Sequence, residues 1–245
     1  MKGARLFTVG TLPRSFAALA VVVGGLSAVF SSGATLPLFR DTLHYNCSWG
    51  AGGAWADSGE WVCGDGLGYF GVAVGLGGMS ALLLLVGLVV AAGGPSRRRA
   101  VTLIVFASGS VAWISWCGFH AATVYTGARP AGETGLGSWA EVLVPGLSLC
   151  AIGLVVGAAG VAVGRRWSLV AVTVGACLMI LGTTLRFGIG VSTLAAAGLL
   201  LAAGIQRFAS VSAEQSSSLE AVVAAPPLRR RPRAGPPQSC LRGCD

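Results

Sequence analysis

The chain has only two histidines, and each stands three residues from a cysteine: His44 before Cys47, and His120 after Cys117. Imidazole and thiolate are the donors that copper and zinc favour. Residues three apart on a helix share a face, so Cys117 and His120 would present their donors together. His44 and Cys47 fall in a polar loop, and the four side chains would form a metal site if that loop folded over the helices. Cys47 has a competing use. With Cys63 it brackets a loop short enough to be closed by a disulfide, and that bridge would take one ligand from the metal. The plain alternative for each free cysteine is burial among apolar neighbours.

Other catalytic signatures are missing from the sequence. There is no Cys-x-x-Cys, no phosphate-cradling glycine loop with its lysine, and no nucleophile elbow. An enzyme built from this chain would have to draw on His44, Asp57, Glu60, Asp65 or His120. These form no paired motif, so the reading leans away from an enzyme and implies no cofactor.

The elements that carry these residues are set by composition. Of 245 residues, 54% are hydrophobic and 11% charged, more apolar surface than a soluble core of this size can hide. A helix needs about 20 mainly apolar residues to cross the hydrocarbon layer. Six charge-free intervals meet that length, bounded by Arg14 and Arg40, Asp65 and Arg97, Arg99 and Arg129, Glu141 and Arg165, Arg166 and Arg186, and Arg186 and Arg207. They predict an all-α polytopic membrane protein, with a bundle over 1–208 and spans at about 16–36, 67–93, 101–124, 142–164, 168–185 and 188–206. The fifth and sixth also fit a re-entrant pair. The first, preceded by Lys2, Arg5 and Arg14, also fits a cleaved signal peptide, which would leave five spans.

Orientation follows from the basic residues. If the N-terminus is cytoplasmic, fourteen of the 17 Lys and Arg fall on the inner side, Arg97, Arg98 and Arg99 among them. That pattern predicts a multi-pass protein of the cell membrane with both termini in the cytoplasm. The net charge of +8 is scattered between apolar runs, so it suits a lipid bilayer and excludes nucleic acid as a partner. Residues 209–245, rich in Ser, Pro and Arg and carrying Arg229, Arg230 and Arg231, read as a disordered basic tail at the membrane surface.

Two glycine series complete the pattern. Gly153, Gly157, Gly160 and Gly164 line one face of the fourth span, and Gly71, Gly75 and Gly78 mark the second. Small residues in register let helices approach closely, within the chain or across a dimer seam. The first outer loop holds Trp49, Trp55 and Trp61 between Cys47 and Cys63. A Trp-rich first loop with two cysteines resembles that of the claudin-type tetraspan proteins, but their Gly-Leu-Trp motif is absent and the span count differs. The sequence is best read as a non-enzymatic accessory or interaction component that contacts another membrane protein. The alternatives are a small-solute or metal-ion transporter and an outer-face enzyme.

Overall fold

In a hydrocarbon layer the backbone has no hydrogen-bond partner but itself, so each long run of Leu, Val, Ala and Gly closes into a helix. The computed structural model describes residues 12–50, 59–64, 66–163 and 167–224. Among them, six helical segments are long and apolar enough to cross a membrane, and the chain is an all-α polytopic membrane protein.

Helix α1 (Leu12–Ser31) runs on through a 3₁₀ turn (Ser32–Ala34), the single turn α2 (Thr35–Pro37) and a π turn (Leu38–Thr42). A short antiparallel pair follows, β1 (Cys47–Trp49) with β2 (Trp61–Cys63). The remaining helices are α3 (Phe70–Ala92), α4 (Arg97–Thr123), α5 (Gly135–Val163), α6 (Ser168–Leu185) and α7 (Gly190–Ala224). Several helices exceed the charge-free intervals. α4 begins at Arg97 because Ser96 caps it, its Oγ accepting from the Arg99 amide at 3.2 Å. α5 begins at Gly135, with the Gly137 amide donating to Thr134 Oγ1 at 3.0 Å, and so includes Glu141. Charge bounds the apolar segment; it does not end a helix that emerges into a polar layer.

The compact bundle ends at Val211, and residues from Ser212 form a second unit. In that unit the backbone is helical to Ala224, where the sequence reading placed disordered chain from 209 onward. The reason is that residues 209–224 lose apolar periodicity but contain neither Gly nor Pro, and Ala, Glu and Gln sustain a helix on their own propensity. Arg229, Arg230 and Arg231 lie outside the described residues, as does Gly164.

α7 is the axis. Its apolar window is 83% buried, against 17% for that of α3. Ala195, Ala196, Ala197, Ala202 and Ala203 are all but inaccessible, and glycines bring the neighbours to the backbone. A Cβ on Gly24 of α1 would stand 2.7 Å from the Gly198 Cα, so nothing but glycine fits that crossing. Buried hydroxyls tie the same helix sideways. Ser110 Oγ donates to the Ser192 carbonyl at 3.0 Å, the Ser80 and Ser192 hydroxyls lie 3.3 Å apart, and those of Thr183 and Thr193 lie 2.6 Å apart. In an apolar bundle such contacts act as polar pins between helices.

The tightest seam joins α5 to α6. A Cβ on Gly146 would meet the Gly182 carbonyl at 2.9 Å, one on Gly153 would meet the Gly175 carbonyl, and one on Gly160 would meet the Ser168 carbonyl at 3.1 Å. The α5 positions rise by seven as the α6 positions fall by seven. That is the repeat of an antiparallel pair wound with a shallow left-handed crossing. Gly157 faces elsewhere, against Leu200 of α7. Gly71, Gly75 and Gly78 differ from these, since a Cβ on any of them would meet nothing within 4 Å. The α3 series therefore makes no close helix crossing of the kind seen between α5 and α6.

Candidate functional site at the disulfide face

The end of the bundle that carries β1 and β2 concentrates the residues with chemistry. Cys47 pairs directly across the strands with Cys63, and the two are joined by a disulfide. The other edge of β1 is also occupied, by the segment that follows α4. The Asn46 amide donates to the Tyr125 carbonyl at 2.9 Å, the Gly127 amide to the Cys47 carbonyl at 2.8 Å, and the Trp49 amide to the Ala128 carbonyl at 2.8 Å. β1 is therefore a middle strand, cross-linked on one side and hydrogen-bonded on both.

Reaching that geometry from the π turn takes two left-handed residues, His44 (φ 55°) and Asn46 (φ 57°). Asn and His tolerate this region better than most side chains, at some cost in backbone energy. The result is a ring stack. His44 lies on Trp61 with centroids 3.8 Å apart and planes 10° from parallel, Trp49 meets Trp61 edge to face at 5.6 Å, and the Arg129 guanidinium carbon sits 5.9 Å from the Trp61 ring. Arg129 is held there by Ser138 Oγ at 3.1 Å and by the Ala122 carbonyl. Burial, and then the Arg129 charge, lower the His44 pKa below 6.5, against smaller opposing effects of Glu133 and Asp41.

Beneath the strands lies an aromatic layer. The Tyr45 ring is 5.4 Å from Tyr125, 5.7 Å from Tyr69 and 6.4 Å from Phe39. Burial, reinforced by Tyr125, raises the Tyr45 pKa, so its hydroxyl stays protonated and can donate. Under this layer a groove of about 380 Å³ runs between the start of α3 and the end of α4, with Cys117 and His120 on its wall.

The four residues expected to share a metal are not brought together as a ligand set. Cys47 is in the disulfide and has no thiolate to give; His44 lies on Trp61, while His120 packs 3.9 Å from Trp116. Among the described residues no three His, Cys, Asp or Glu side chains converge as metal ligands would. Arg129, in the sequence only the charge that closes the third apolar interval, is a member of this site that its lone position in a loop of small residues does not announce.

At the opposite end, Arg97, Arg98 and Arg99 are exposed on the first turn of α4, and Arg99 Nη1 donates to the Gly94 carbonyl at 2.5 Å. Gln206, fully buried, donates to the Ala91 carbonyl at 2.6 Å and the Gly93 carbonyl at 3.3 Å, closing the end of α3. Arg186, at the turn between α6 and α7, donates from Nε to the Val142 carbonyl at 2.8 Å. It tethers the α6–α7 turn to α5. No family model, curated protein or solved structure matches the chain. What the fold defines is a helical integral membrane protein with a cross-linked cap on one face.

Proposed function

We propose that this protein is a non-enzymatic component of the cell membrane whose disulfide-braced cap binds another membrane protein, with the cap outside and the arginine-bearing face in the cytoplasm. The observation that carries the reading is the construction around Trp61. Trp49, Trp61 and Arg129 belong to the residue types that dominate binding energy at protein interfaces. Here they are held by a disulfide, three strand-edge hydrogen bonds and the His44 stack, so little ordering entropy is left to lose on association. A disulfide also suits the oxidising side of a membrane, and a cluster of arginines suits the anionic inner leaflet. Two ionisable residues of the spans near the disulfide face are engaged within the bundle, Arg186 on the Val142 carbonyl and His120 against Trp116, which weighs against a transport pathway there.

The test is a photo-crosslinking amino acid at Val62, the exposed residue of β2, in the full chain in its native membrane. A protein adduct at fixed stoichiometry is expected from this site and not from lipid-facing Val155. Trp61→Ala and Arg129→Ala should each reduce it at least tenfold, as interface anchors do. Adducts to lipid alone, or a protein adduct indifferent to both substitutions, would overturn the reading.

A further inference from the structure

The groove beneath the cap has features that packing between helices does not require. Its floor is the backbone of Gly71 and Gly75, where a Cβ would meet nothing within 4 Å. Open volume there is not a glycine contact with a neighbour; it is a slot left beside α3. One wall is Trp113, Trp116 and His120 on the last turns of α4, and Tyr125 closes the end beyond it. Trp113 has spent its only donor on the Gly75 carbonyl, at 3.1 Å. Trp116 is 57% exposed, which leaves the slot open sideways. His120 Nδ1 is buried and has no hydrogen-bond partner. A buried ring nitrogen without a partner calls for one, from water or from a ligand.

Size and position narrow the occupant. Counting about 30 Å³ for each water-sized group, the groove holds roughly a dozen, enough for most of one chain and not two. The slot flanks helices long and apolar enough to cross a membrane and opens beside a Trp pair, the residue type enriched where hydrocarbon gives way to headgroups. What reaches it comes from the lipid phase. We infer that the groove binds a single-chain amphiphile, its tail along Gly71 and Gly75 and its carboxyl or hydroxyl head on His120. An O–H group both donates and accepts, so it suits a neutral imidazole in either tautomer. The roof, Tyr45 and Tyr125, belongs to two segments joined by the strand-edge hydrogen bonds of the cap, which hold the site closed from above.

The experiment uses the full chain in phosphatidylcholine vesicles with two photoactivatable probes, a diazirine palmitate and a diazirine farnesol, each competed with its unlabelled parent. Saturable labelling of the segment 113–125 by one probe is expected, and the probe that labels tells acid from alcohol. Gly71→Leu with Gly75→Leu, which fills the slot, should reduce labelling at least tenfold without lowering the melting temperature. His120→Phe, which keeps a ring on Trp116, should weaken binding about fivefold, the loss of one neutral hydrogen bond. It should leave labelling by a diazirine alkane, which has no head, unchanged. Labelling that neither parent competes, or none in that segment from either probe, overturns the inference, and these wild-type measurements decide it even if the leucine variant fails to fold.

Discussion

Removing the cross-link in the cap tests how far the cap depends on it. The double substitution Cys47→Ala/Cys63→Ala deletes the bridge without leaving a thiol. The two cysteines are 16 positions apart, and closing a loop of that size restricts the open chain by about 3 kcal/mol. At about 1.4 kcal/mol per tenfold, that is close to a hundredfold in the population of the open cap. The full effect is an upper value here, because Leu43 and Tyr69 are buried in the bundle and hold the flanking chain in place. We therefore expect amide exchange at Asn46, Trp49, Gly64 and Gly127 to accelerate by about tenfold to a hundredfold, these being the amides whose bonds knit β1 to its neighbours. Amides in the middle of α5 and α6 serve as the internal control and should not change. Acceleration at the cap below about threefold would show that hydrogen bonding to the segment after α4, not the covalent bond, sets its stability, and the entropy argument would fail.

Two further outcomes follow from contacts already described. Gly175→Leu places a side chain against the Gly153 carbonyl, and such overpacking should cost about 1–3 kcal/mol in detergent unfolding; Gly71→Ala meets open space, and the same assay should show it neutral or stabilised by up to about 1 kcal/mol through helix propensity. His44 gives the cap a pH dependence: its folded pKa lies below 6.5, so the folded cap binds fewer protons than the open one. Stability should be complete above about pH 6.5, fall as the pH drops through it, and level off once the pH passes below the folded value; tryptophan fluorescence should report this, and His44→Gln should abolish it.

The six spans were legible because each is bounded by charge and long enough for the hydrocarbon, a rule that needs no tertiary information. Helix ends were less so, since Arg97 and Glu141 mark the edge of the apolar layer while Ser96 and Thr134 mark the helix start. The cysteine pair could be read from loop length. The glycines could not be ranked: Gly153 and Gly75 look alike in sequence, yet one sits against Gly175 and the other faces a void, a difference fixed only by which helix lies alongside. Gly146, beyond the pattern read along α5, joins the seam for the same reason. Nor could the site around Trp61 be assembled, because its parts come from the first loop and from the segment after α4, and the pairing of β1 with residues 125–128 has no local signature.

The central place of α7 has a consequence for biogenesis. It comes after the other five long helices in chain order, so the translocon releases those five before the surface they pack on has been synthesised. Until then Gly24, Gly87 and Gly157, which meet α7 at Gly198, Leu199 and Leu200, have lipid as their only neighbour on that side. Docking on α7 is thus a late step that follows the pairing of α5 with α6, and a nascent chain halted before Gly190 presents the membrane's quality-control proteases with five helices and no axis.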